Sequence, residues 1–148
     1  PFRNIAGTAS LIRNENANII GNKFDHIMYP AVCAGGAFAE VEGVNGKNIH
    51  IANNTFDTCG WQSRHGGVGA IAVRIQYSGR TPKEQTPFLK DVFISSNTIK
   101  NCDVGIDVQD ARDLFISGNV FENVGTPILH SNNPDAIISN NIEKPSDK

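Results

Sequence analysis

The sequence predicts an all-β chain in which one short phrase is repeated and stacked upon itself. The first observation is the phrase Ile49-His50-Ile51-Ala52-Asn53-Asn54-Thr55-Phe56, with the skeleton apolar, any, apolar, two small or polar residues, Asn, any, apolar. It returns at 92–99 and 114–121, and more loosely at 17–24 and 136–141. The second observation is spacing. The marker asparagines Asn22, Asn54, Asn97, Asn119 and Asn141 are separated by 32, 43, 22 and 22 residues, a unit of 22 with two insertions. The third is alternation of apolar residues at period two before a sharp polar turn, which is strand behaviour. One unit cannot bury its own apolar face, so units must stack. An asparagine amide both donates and accepts, and it tolerates a left-handed bend. Together these predict a right-handed single-stranded parallel β-helix of about five to six coils, with an asparagine ladder. A β-sandwich with Asn-rich turns is the alternative, but sandwiches lack a fixed period.

Each element follows by counting from the marker. Ile19, Ile51, Ile94, Ile116 and Ile138 should form one inward file. Three residues past the motif, Ile27, Cys59, Cys102 and Val124 should form another. A second strand follows at 31–33, 70–76, 105–109 and 127–131. Within it Ile106 and Val108 face the core and Asp107 and Gln109 face out, as do Ala72, Arg74 and Gln76 one coil earlier. The expected coil is three short strands and three turns. The surplus residues fall around Ala34–Gly46, Asp57–Gly69 and Tyr77–Lys90, all flanking that outer strand face. Long loops on a rigid scaffold usually carry function.

Composition narrows the class. The 148 residues make one domain's worth of chain, and a formal charge of -2 argues against a nucleic-acid partner. No apolar run approaches the ~18 residues needed to span a bilayer, and no signal peptide is evident. The chain starts at Pro1 on repeat-like sequence, so residues 1–148 read as the C-terminal coils of something longer. The first coil, around Phe2, Ile5, Leu11 and Ile12, should then be covered by missing chain or another subunit. Cys59 and Cys102 should stack at strand spacing, about 4.8 Å, slightly too far for an unstrained bridge. A buried thiol ladder is expected, with Cys33 in the core as well.

No compact catalytic motif is present: no Gly-x-Ser-x-Gly, Cys-x-x-Cys, His-Glu-x-x-His or phosphate-binding glycine loop. Polar residues collect instead around one expected groove: Trp61, Arg64, His65, Arg74, Asp107 and Gln109. A tryptophan stacks on a sugar face, and Arg, Asp and Gln supply hydrogen bonds to hydroxyls or a carboxylate. The competing reading pairs Arg74 with Asp107 across adjacent coils and packs Trp61 on its own loop. Glu40 and Glu42 share a strand face, and paired carboxylates suit a glycosidase, though exposed glutamates also simply solubilise. Glu40, Glu42 and Asp107 are the candidate acids. His130 is expected to cap the core end, and His26 and His50 to lie on the surface. Asp103, Asp107 and Asp110 straddle a strand and diverge, so no metal site is expected, nor any cofactor. Asn53-Asn54-Thr55 is formally a glycosylation sequon, but it falls in the turn ladder, which accounts for it without sugar.

The five in-phase copies of the asparagine phrase make the chain resemble the pectate-lyase-like β-helix superfamily over residues 14–143. Phe38 to Val44 running into Asn48–Phe56, and Ala70-Ile71-Ala72-Val73 followed by a long loop and Lys90–Ile94, also resemble later coils of β-helical glycoside hydrolases that remove terminal α-1,3-linked galactose. That resemblance implies catalytic aspartates on coils upstream of this region, with these residues forming the downstream wall of the groove. The expected function is glycan binding, with glycosidic hydrolysis possible along the insertion-lined face, in a secreted or periplasmic protein whose partner is a poly- or oligosaccharide. A non-catalytic structural or adhesive stalk is the alternative, and a polysaccharide lyase a further one. The acidic calcium ligands and catalytic arginine of true pectate lyases are not recognisable.

Overall fold

A computed structural model of the chain describes residues 1–35, 46–63, 67–75 and 89–145. Its strands are β1 (Phe2–Ile5), β2 (Ser10–Ile12), β3 (Ala17–Ile20), β4 (Lys23–Ile27), β5 (Val32–Ala34), β6 (Lys47–Ala52) and β7 (Thr55–Cys59). They continue as β8 (Ile71–Val73), β9 (Leu89–Ser95), β10 (Thr98–Gln109), β11 (Ala111–Ser117), β12 (Val120–Ser131), β13 (Ile137–Ser139) and β14 (Ile142–Lys144). The described residues contain no helix, although parallel sheets are the usual property of α/β chains.

The expected single-stranded parallel β-helix is corrected. The strands belong to two parallel sheets, one of nine strands curled into a half-barrel and one of five running β13-β11-β9-β6-β3. The expected scheme of three separate strands per coil fails at a definite place. Asn101 and Asn123 sit in the left-handed region (φ 52 and 54) inside β10 and β12, and the chain bends there without leaving the sheet. Both strands run for 12 residues. β10 pairs with β7 through Thr98–Lys100 and with β8 through Ile106–Val108, so two expected faces merge.

The repeat itself sets the register. Phe2 lies opposite Phe24, Leu89 opposite Ala111, and Thr98 opposite Val120, each a step of 22 residues. The two insertions are absorbed without a slip: Lys23 pairs with Thr55, and Thr55 with Thr98. A slip by one residue would turn every core side chain outward, so this register is strongly specified. Between the sheets lie Phe24, Phe56 and Phe121 with Ile49, Ile51, Ile94, Ile99 and Ile116, all nearly inaccessible. Ile27 and Cys59 pair in register, as do Cys102 and Val124. Cys59 and Cys102 are buried free thiols, and the Cys59 amide donates to Cys102 Sγ at 3.4 Å.

The marker asparagines hold the corner between the sheets. The amides of Asn22, Asn54, Asn97 and Asn119 each donate to the Oδ1 of the next marker at 2.9–3.0 Å. The side-chain amides of Asn54, Asn97, Asn119 and Asn141 donate to Ile19, Ile51, Ile94 and Ile116 carbonyls at 2.8–3.0 Å. Buried polar groups are tolerated when satisfied in this way.

Toward the outer repeats the core opens. Phe2, Leu11 and Ile20 are exposed at one side, while Ile12 is buried and Ile5 packs partly against the core. Leu129, Ile137, Ile138 and Ile142 are exposed at the other. His130 does not cap the core as expected. It lies in register with inward Val108, yet it is exposed, because β14 pairs only with Val120–Glu122 of β12.

Candidate functional site

β8 and β10 carry the first group of expected site residues. Gly35 lies against the Arg74 backbone so closely that a Cβ there would sit 1.9 Å from the Arg74 carbonyl, which admits only glycine. Arg74 then projects across the sheet. Its Nη1 donates to Asp107 Oδ2 at 3.1 Å and its Nη2 to Gln109 Oε1 at 2.7 Å. The backbone amide of Val68 donates to the same Asp107 oxygen at 3.2 Å. Asp107, expected to face out into a groove, is only 3 % exposed. Arg74, Asp107 and Gln109 are thus brought together, but turned toward one another. Cys33 lies under the charges of Arg74, Asp107 and Arg13. Burial pushes its thiol above the ordinary value, against the opposing pull of the two arginines.

Trp61 lies elsewhere. It follows the left-handed Gly60 at the end of β7 and is 46 % exposed. Here too a glycine is required, since a Cβ on Gly60 would lie 2.0 Å from the Gly69 carbonyl. Trp61 walls a cavity of about 280 Å³ with Asn4, Ile5, Ala6, His26 and Met28. None of Arg74, Asp107 and Gln109 lines it. Arg64 and His65 lie outside the described residues, as do Glu40 and Glu42.

The polar residues that join Trp61 are not expected at a site from the sequence, which places His26 only on the surface and gives Asn4 no role. Asn4 and His26 occupy the same left-handed corner, φ 54 in each, one repeat apart. That conformation brings the Asp25 and His26 side chains together: His26 Nδ1 lies 2.5 Å from Asp25 Oδ1, and Arg3 Nε lies 2.7 Å from Asp25 Oδ2. The hydrogen bond from His26 is the main reason the Asp25 carboxyl is held below its ordinary value. Desolvation opposes it, and the charges of His26 and Arg3 assist. Asp25 therefore orients two side chains at once, and the His26 ring is fixed by its Nδ1 edge beside the tryptophan. The available signal was a histidine at the position where other repeats place Asn4, Asn101 and Asn123.

A second cavity, about 420 Å³, opens beside the uncovered half of β12 and is lined by Val124, Pro127, Glu143 and Pro145 among others. It has no exposed aromatic ring. Among the described residues no group of three or more His, Cys, Asp or Glu could hold a metal ion, and no helix is long and apolar enough to cross a membrane. The Trp61 cavity thus offers a flat aromatic face, an apolar floor from Ile5, Ala6 and Met28, and polar edges from Asn4 and His26. No protein-family model matches the chain, no curated protein matches it, and no solved structure matches it, so nothing identifies the superfamily that the asparagine phrases resemble.

Proposed function

We propose that the protein binds a saccharide, with Trp61 as the stacking platform and Asn4 and His26 as hydrogen-bonding edges. The observation that carries this reading is the exposed Trp61 ring forming one wall of a cavity next to the Arg3–Asp25–His26 cluster. A large aromatic exposed beside polar groups suits a ligand with one apolar face and a hydroxyl rim. The site differs from the groove that the sequence suggests, because Arg74 bonds to Asp107 and Gln109 through its two terminal nitrogens, leaving only its buried Nε without a partner.

That mutual pairing favours a second reading, a structural repeat protein without a ligand. The two readings separate experimentally. Trp61 is the only tryptophan, so intrinsic fluorescence reports on this cavity alone. Titration against a panel of galactosides and uronides should give a saturable change for at least one of them. Loss of the ring should cost on the order of 1–3 kcal/mol, by analogy with base stacking, or roughly tenfold in affinity by calorimetry for Trp61→Ala. His26→Ala should weaken binding and Arg74→Met should not. A panel that leaves the fluorescence unchanged rejects saccharide binding and leaves the structural reading.

A further inference from the structure

We propose that Asn53 is an acceptor for N-linked glycosylation. The sequon Asn53-Asn54-Thr55 occupies the corner between β6 and β7, and the sequence alone absorbs it into the asparagine ladder. The structure separates the two roles. The ladder member is Asn54, which is 1 % exposed, accepts from Asn22 through Oδ1, and donates through Nδ2 to Ile19 and Asn97. Asn53 is exposed, sits in the left-handed region at φ 56, and its side chain makes no hydrogen bond.

The surroundings leave room for a glycan. Ala52 is in register with Ile20 and Ser95, so the residues beside Asn53 in the adjacent repeats are Gly21 and Ser96, both exposed. A Cβ built on Gly21 would meet nothing within 4 Å. Only the Asn53 backbone is committed, its amide donating to the Ser95 carbonyl at 3.2 Å. An attached sugar therefore displaces no packed side chain and breaks no bond of the ladder. Thr55, the hydroxyl the sequon needs, opens β7 and is half-buried.

The chemistry is group transfer from a lipid-linked oligosaccharide diphosphate. A bond forms between Asn53 Nδ2 and the anomeric carbon, the carbon–oxygen bond to the diphosphate breaks, and its electron pair leaves with the diphosphate. The amide nitrogen gives up one proton to the transferase. The sequence motif that specifies this acceptor is Asn-x-Ser/Thr with x other than proline, and Asn54 meets that condition.

The test is to express the full chain behind a cleavable secretion signal in a eukaryotic host and treat the product with peptide N-glycosidase. One glycan per chain should be released, with an electrophoretic shift to the mobility of unmodified protein. Asn53→Asp, which retains tolerance of the left-handed backbone, should abolish the shift. Thr55→Ser should keep the glycan and Thr55→Ala should lose it, a pair that holds the reading to account even if the Asn53 variant folds poorly. A wild-type band unchanged by the glycosidase overturns the proposal, as does a shift that persists in Asn53→Asp or Thr55→Ala.

Discussion

Replacing Asn97 by leucine removes a fully buried side chain from the middle of the ladder. Its Oδ1 accepts from the Asn54 backbone amide and from Asn54 Nδ2, both at 3.0 Å; its Nδ2 donates to the Ile51 carbonyl at 2.9 Å and to Asn119 Oδ1 at 3.0 Å. Asn54 Nδ2 retains Ile19, and Asn119 Oδ1 retains the Asn97 amide. The Asn54 N–H and the bond to the Ile51 carbonyl have no such substitute. Each buried group left unsatisfied costs about 1–3 kcal/mol, partly offset by the added apolar burial, so the net loss should be about 3 kcal/mol. For a chain of this size that is a fall in Tm of roughly 6–12 °C. Asn22→Leu is the control. Asn22 is half-buried, its side chain accepts nothing, and its Nδ2 only donates to Ile20 and Asn54, so its loss should cost under about 1 kcal/mol. Urea and thermal unfolding of both variants decide the matter. Equal losses, or an Asn97→Leu curve that overlays wild type, would refute the reasoning.

Other perturbations test other parts of the structure. Arg74→Met should destabilise by about 3 kcal/mol, because it leaves Asp107 buried with only the Val68 amide. Adding Asp107→Leu should recover much of that loss, whereas a surface ion pair would show neither effect in unfolding titrations. Gly105→Ala should cost about 1–3 kcal/mol, since its Cβ would lie 2.6 Å from the Pro127 carbonyl and 2.7 Å from the Phe121 ring; a neutral melt would contradict that packing. Burial is the main cause that pushes the Cys59 thiol up to about 12 and the Cys102 thiol up to about 11, from an ordinary 9.0. Both should label slowly with thiol reagents until denaturant is added. Because the folded values lie above the unfolded one, their linkage favours the fold fully below about pH 9 and loses ground as pH rises from there. An unfolding free energy that increases across that window would reverse the sign.

The parts of the structure legible in the sequence are those fixed by the 22-residue phrase. The ladder from Asn22 to Asn141, the isoleucine file through Ile51, Ile94 and Ile116, and the stacked Cys59 and Cys102 all depend on local alternation plus a constant step. The sheet assignment was not legible, because it depends on what happens at one left-handed residue per strand. A period-two reading treats Asn101 as a turn that ends a strand, whereas φ 52 there only bends β10. The same corner appears in β4 at His26 and in β7 at Thr58, each the residue before an inward Ile27 or Cys59. That is why the inward positions within these strands are three residues apart and not two. The candidate site divided for a different reason. Strand phase sets Asp107 out of step with the core residues Ile106 and Val108, but phase does not say that the Val68 amide bonds to its carboxylate and that the side chain is buried. Nor does it reveal that Trp61, close to Arg74 in sequence, turns toward Asn4 and His26.

Amide hydrogen exchange of the marker asparagines tests the central claim, that side-chain rungs in register hold the stacked strands together. Asn54, Asn97 and Asn119 donate their backbone N–H to a side-chain oxygen one repeat away. Those three amides should exchange only through global unfolding, as slowly as the core amides of Ile94 and Ile116. Exposed Asn18 and Glu15, by contrast, should exchange through local opening. Exchange of the Asn97 amide on the timescale of Glu15 would contradict the account.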